Sequence, residues 1–236
     1  MDNSIGVAMV PGAGLGGWIW RDLAPLVRAP TLAVEFPGRD RDLRARQALG
    51  LQEYAAHVHR QIVEWDVDRV VIAAHSLGGV VGQSVAPQVN ERLAGFMAIS
   101  AVIPRARGSF VSCFPWPKRV LLNVVLRTVG TKPPESAIRK GLANDLSPEL
   151  AAEVVDRFTP ESRRVYFDPT PGAVPDVPRL YVKSRKDKEL DGAFQDRMIA
   201  NLGSSRVVTL DSGHLTMLSH PPELADVLNQ FVSELA

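Results

Sequence analysis

The apolar positions of this chain fall into two patterns, short continuous runs and stripes at helical spacing. Residues 5–10 form a run that stops abruptly at Pro11-Gly12-Ala13-Gly14, where a helix could not continue, and so predict a buried strand. Residues 20–27 mix apolar and charged positions as a short helix would, and residues 31–36 are a second β-rich run closed by Pro37-Gly38. Within residues 51–65, Tyr54, Val58, Ile62 and Trp65 fall on one stripe of an amphipathic helix. Residues 69–74 read as a strand, 77–89 as a helix rich in small side chains, and 93–100 as a strand again.

Strands alternating with helices predict a parallel sheet covered on both faces. The rhythm breaks after Ile103. Residues 104–178 hold many of the prolines and two expected helices, 120–129 and 146–158; the second opens on Ser147-Pro148-Glu149, a serine N-cap followed by proline at the first helical position. Alternation resumes with a strand at 179–183, a helix at 192–202, a strand at 206–210 and a last helix opened by Pro221-Pro222-Glu223. The expectation is one α/β domain over residues 1–236, with 104–178 as a helical lid inserted over the sheet.

Composition narrows the function classes. With 236 residues and 45% hydrophobic content the chain can bury one substantial core. Lys and Arg number 27 against 26 Asp and Glu, a formal charge of +1 that offers no broad field for phosphate backbones or anionic lipid. Neither nucleic acid nor a membrane is expected as partner. Cys113 is the single cysteine, so there is no internal disulfide and no CxxC metal cluster. The amino terminus lacks the basic segment and long apolar core of a signal peptide, and a cytoplasmic location is expected.

The candidate chemistry lies at Ala74-His75-Ser76-Leu77-Gly78-Gly79, where an expected strand meets an expected helix. That is the context of a nucleophile elbow, in which a strained serine needs small residues two positions away on either side. Ala74 and Gly78 are small, although glycine is usual at the first position. A serine hydroxyl needs a base to take its proton and a carboxylate to orient that base. His57 and His59 fall inside the amphipathic helix, His75 is expected to point away from Ser76, and His220 precedes a helix start. His214 follows the last strand, at the sheet end where the elbow opens. For the acid, Asp187 lies in the loop after the preceding strand, with Glu189 and Asp191 as competitors that spacing does not exclude. Ala13, in the glycine-rich loop, and Leu77 are positioned to supply two backbone N–H donors to an oxyanion.

Three blocks resemble the α/β-hydrolases related to plant salicylate-binding methyl esterases and hydroxynitrile lyases: residues 10–18, the 74–79 elbow, and residues 186–218 with Lys186-Asp187-Lys188 and Gly213-His214-Leu215-Thr216-Met217-Leu218. The resemblance implies an α/β-hydrolase fold with about six mostly parallel strands and a short helical lid. It implies Ser76 as nucleophile, His214 as general base and acid, Asp187 as its partner, Ala13 and Leu77 as oxyanion donors, and no metal or organic cofactor. Pro11 departs from the group, which usually has the histidine of a His-Gly pair there. Lyases of the group use a lysine directly after the catalytic histidine and a threonine in the oxyanion loop; here these are Leu215 and Gly12, both counted as substrate-contacting positions. Phe110, Phe114, Trp116, Leu121 and Leu122 are candidates for an apolar lid over the substrate, with packing of the lid against the sheet edge as the alternative for each, and Trp116 is the one expected to contact substrate.

Hydrolysis of a small carboxylic ester, or a related carbonyl substrate, is the leading expectation. A lyase, cyclase or decarboxylase in the same pocket is the alternative, since one fold hosts many chemistries, and a receptor without turnover is a third. A homodimer is left open.

Overall fold

The continuous apolar runs become strands because both faces of the sheet are covered. In the computed structural model, which describes residues 4–39, 42–204 and 206–235, the strands are β1 (Ile5–Val10), β2 (Thr31–Ala33), β3 (Arg69–His75), β4 (Leu93–Ile99), β5 (Arg179–Ser184) and β6 (Arg206–Leu210). They form one all-parallel sheet in the order β2-β1-β3-β4-β5-β6. Helices α1 (Leu43–Gln47), α2 (Leu51–Val63) and α3 (Gly78–Val89) lie in its first half. Between β4 and β5 come α4 (Trp116–Thr128), α5 (Glu135–Lys140), α6 (Pro148–Arg157) and α7 (Arg164–Phe167); α8 (Gly192–Leu202), α9 (Thr216–Ser219) and α10 (Pro221–Ser233) complete the chain.

Alternate residues of β3 enter opposite cores. Val70, Ile72 and Ala74 pack with Tyr54, Val58 and Ile62 of α2 and Val81 and Val85 of α3. Val71 and Ala73 pack on the other side with Leu224, Leu228 and Phe231 of α10. The helix ends follow local chemistry. The Ser147 hydroxyl accepts from Leu150 N–H at 3.3 Å and Asp191 accepts from Phe194 N–H at 2.8 Å, each satisfying a first-turn donor. Gly203, at φ 66°, closes α8.

Three boundaries differ from expectation. Residues 20–27 form no α-helix but two 3₁₀ turns, Gly17–Trp20 and Ala24–Leu26, because Pro25 lacks the N–H that an α-helical ladder needs there. The strand expected over 31–36 ends at Ala33: Val34 N–H still reaches Met9 O, but Glu35 turns back to accept from Gly17 N–H at 2.7 Å. Helix α4 starts at Trp116, not at residue 120, since Pro117 sits in the first turn, where no intrahelical donor is required.

The strand order places the site. β1 has β2 on one side and β3 on the other, so the chain changes its direction of travel across the sheet at this point. Crevices at the carboxyl ends of strands open at such a switch. The register pairs Val10 with Ala74, which sets the glycine-rich loop after β1 beside the turn after β3.

Candidate active site

β3 runs into α3 through Ser76, whose φ of 52° is left-handed. In a non-glycine residue this costs on the order of 1–3 kcal/mol and persists only where the surroundings enforce it. Ser76 N–H donates to Ile99 O at 3.3 Å, and Ser76 O accepts from Gly79 N–H at 3.0 Å and Val102 N–H at 2.9 Å. At Gly78 a Cβ would lie 2.6 Å from the carbonyl oxygens of both Val10 and Pro11, and backbone cannot swing aside. The methyl of Ala74, where glycine is usual, is accommodated because α3 presents Gly82 to it.

The second half of the site hangs from β5 and β6. Asp187 Oδ2 meets His214 Nδ1 at 2.7 Å, with both side chains fully buried. Asp187 Oδ1 accepts from the N–H groups of Glu189 and Leu190, each at 2.8 Å, which fixes the carboxylate in plane. His214 Nε2 is buried without a partner among the described residues. Burial alone pushes the His214 imidazolium down, but the charge and hydrogen bond of Asp187, helped by Glu189 and Asp145, outweigh it and hold its pKa above the ordinary histidine value. Beneath the His214 loop, hydroxyls interlock: Ser184 Oγ is 2.8 Å from Thr216 Oγ1 and accepts from Ser100 Oγ at 2.8 Å, while Ser212 Oγ is 2.8 Å from Thr216 Oγ1.

The structure therefore brings Asp187 to His214 and sets its loop competitors apart: Asp191 caps α8, and Glu189 lines the cavity in front. His57 and His59 lie on α2, and His220 sits at the start of α10. His75 does turn away from the cavity, yet it is not idle. Its Nε2 donates to His214 O at 3.0 Å, and its ring lies 4.7 Å from that of His214. Burial, with His214 adjacent, drives its pKa well below the usual value, so His75 is neutral. No hydrogen bond joins Ser76 Oγ to His214 among the described residues; such contacts often tighten only with substrate bound.

Ala13 and Ser76 both face a cavity of about 280 Å³, and neither Ala13 N–H nor Leu77 N–H is taken by another hydrogen bond among the described residues. Gly12 presses on the elbow, where a Cβ would come within 2.8 Å of His75 Nδ1. Phe110, Phe114 and Leu122 line the cavity, joined by Leu126, Phe158 and Leu190, which the sequence did not single out.

Three expectations need correction. Trp116 is 74% exposed and absent from the cavity wall, and Leu121 is 62% exposed. Helical spacing explains this, since Lys118, Leu122, Val125 and Leu126 are the α4 positions that line the cavity. Leu215 is fully buried in the sheet core and does not line the cavity either.

Residues distant in sequence brace the loops. Glu161, between α6 and α7, accepts from Gly14 N–H at 3.1 Å, from Arg39 at 2.6 Å and from Tyr54 Oη at 2.7 Å, while Arg39 also donates to Leu15 O at 2.7 Å. This buried cluster grips the loop that carries Ala13, where Pro11 cannot. Asp145 accepts from Gly213 N–H, next to His214.

Among known proteins, the chain is 27% identical over 238 residues to a carbendazim-hydrolysing esterase of Nocardioides sp. (strain SG-4G), covering 93% of this chain and 96% of the other. It is 26% identical over 244 residues to salicylic acid-binding protein 2 of Nicotiana tabacum, covering 92% of each. The solved structure of an extracellular alpha/beta-hydrolase from a Paenibacillus species shares the fold at a TM-score of 0.85 and 18% identity, over 96% of this chain and 98% of that one. With the model of the alpha/beta hydrolase family matching residues 7–227, on a six-stranded parallel sheet flanked by helices, the chain belongs to that family.

Proposed function

We propose that the protein is a serine hydrolase that cleaves a small carboxylic ester through an acyl-enzyme. The observation that carries this reading is the 2.7 Å Asp187–His214 bond, held beside the strained Ser76 elbow at the carboxyl edge of the sheet. Esterase activity in relatives of this family adds support. Ser76 Oγ attacks the ester carbonyl while His214 Nε2 takes its proton, and Asp187 stabilises the imidazolium that forms. The N–H groups of Ala13 and Leu77 hold the oxyanion. His214 then returns the proton to the departing alcohol, and water repeats the sequence on the acyl-enzyme.

The acyl and alcohol groups are accommodated by the largely apolar cavity wall of Leu122, Leu126, Phe158 and Leu190, which excludes water from the reacting carbonyl. Cyanohydrin cleavage does not fit these residues. Leu215 is an uncharged side chain buried away from the cavity, and Gly12 has neither a hydroxyl nor room for one. The purified protein is expected to turn over methyl and aryl esters at neutral pH and to release no cyanide from mandelonitrile. An organophosphate is expected to leave one adduct, on Ser76; an adduct elsewhere, or cyanide release without ester turnover, contradicts the reading.

The raised His214 pKa gives a pH test. The base must be neutral, so kcat/KM rises with pH through a limb placed above the ordinary histidine value of about 6.5. Glu189→Gln removes a negative charge that favours the imidazolium, so the limb is expected to move to lower pH. A pH–rate profile in which the limb stays put or moves upward rejects the assignment of His214 as base.

A further inference from the structure

A second concavity, of about 420 Å³, lies next to the substrate cavity, and the reaction above makes no use of it. Arg105, Arg119 and Arg197 line it, with Ser112, Asn201 and Phe114. Among the described residues none of these arginines makes an ion pair. Neutral contacts anchor them instead. Arg119 Nη2 donates to Ser112 O at 2.8 Å, Arg105 Nε donates to Asn201 Oδ1 at 3.3 Å, and the Arg197 guanidinium lies 5.2 Å from the centroid of the Phe194 ring. The Nη1 groups of Arg105 and Arg119 have no acceptor among the described residues.

Three like charges gathered around one hollow repel one another, and an anion between them reverses that cost. The surrounding sequence offers no compensation: residues 104–134 carry Arg105, Arg107, Lys118, Arg119, Arg127 and Lys132 and no Asp or Glu. The overall charge of +1 conceals this concentration. Planar guanidinium forks match the oxygens of a tetrahedral, multiply charged oxyanion, and side chains already held along one edge lose less freedom on binding. Phe114 connects the two hollows, since it lines both. It is clamped by the Phe194 ring at 4.6 Å, with Lys118 Nζ 5.0 Å from its centroid.

The geometry points to a phosphate-binding subsite formed by Arg105, Arg119 and Arg197, adjoining the Ser76 cavity at Phe114. The phosphate has two sources: the far end of a substrate whose reactive carbonyl lies at Ser76, which rests on the hydrolase reading, or a free phosphate, which does not. Two measurements distinguish them. Calorimetric titration of inorganic pyrophosphate at low ionic strength, into wild type and Ser76→Ala, is expected to show equal binding in both. The exposed pair Arg105→Gln and Arg197→Gln, combined, is expected to weaken that binding about tenfold or more.

The kinetic arm compares the S-butyryl thioesters of pantetheine and of 4′-phosphopantetheine, which differ only in the terminal phosphate. A lower KM for the phosphorylated thioester, lost in the double variant while turnover of a neutral ester is retained, places the phosphate on the substrate. Pyrophosphate binding with equal KM values supports a free phosphate. No heat of binding in wild type together with equal KM values overturns the subsite. If neither thioester is cleaved, the hydrolase reading suffers and the titration alone decides the subsite: binding that the double variant loses sustains it, and absence of binding overturns it.

Discussion

Ser76→Ala is expected to lower kcat for any ester substrate by about 10⁴–10⁶-fold while leaving substrate binding close to wild type. Removing the hydroxyl removes the attacking atom, and neither His214 nor the two N–H donors can replace it. Alanine meets the same positive φ as serine, so the elbow keeps its strain and its bonds to Ile99, Gly79 and Val102, which are all backbone. The unfolding free energy is therefore expected to change by less than about 1 kcal/mol. Asp187→Asn belongs to the same unit and is expected to cost about 10⁴-fold, because an amide nitrogen facing Nδ1 favours the histidine tautomer that cannot accept from Ser76. Single-turnover kinetics with a chromogenic ester, alongside denaturant unfolding, separate chemistry from folding. A Ser76→Ala protein with ester turnover within tenfold of wild type defeats the acyl-enzyme reading.

What the sequence made legible shares one physical property: its signal is local. The runs at β1, β3 and β4 are apolar because the sheet is covered on both faces, and burial on both faces leaves continuous runs. Ser147 announces a helix start because a cap bonds an N–H three residues away. The elbow is readable because Ser76 and Gly78 answer a constraint within one turn.

Local signals also misled. Residues 20–27 mix apolar and charged positions as a helix would, yet Trp20, Leu23 and Val27 are buried by a chain that makes only 3₁₀ turns, Leu23 and Val27 flanking the second. Trp116 is expected over the substrate from its place in the lid, whereas the helical phase of α4, which starts at Trp116 and not at residue 120, decides which side chains line the cavity. The resemblance to a known group named Leu215 as a contact, but the structure buries that side chain in the core. The neighbour of His214 that does shape it, Asp145, sits on the insertion far away in the chain and left no periodicity to read.

Glu161 is the clearest case of such a hidden residue, and its removal is the second large effect. Its carboxylate is fully buried and binds Arg39 at 2.6 Å, Tyr54 Oη at 2.7 Å and Gly14 N–H at 3.1 Å, bridging a separation of 147 residues to the loop that presents Ala13. Burial pushes the carboxyl pKa up, while Arg39 and the hydrogen bonds from Tyr54 and Gly14 oppose that rise. Glu161→Ala strips all three donors of their acceptor and strands Arg39, whose side chain is only 21% exposed, so a loss of about 3–5 kcal/mol in unfolding free energy is expected. Loosening the loop also displaces an oxyanion donor, and misplacement on the order of 1 Å costs about 10²-fold in rate. Glu161→Gln retains one carbonyl oxygen, which can still accept from Gly14 N–H and Arg39 while its amide NH2 faces the Tyr54 hydroxyl, and is expected to recover most of the rate but less of the stability, because the charge opposite Arg39 and the acceptor for Tyr54 are gone. The comparison is made on kcat at a temperature where both variants remain folded. If Glu161→Ala matches wild type in both unfolding midpoint and kcat, the cluster does not hold the loop, and the geometry around Ala13 must come from the Pro11 turn alone.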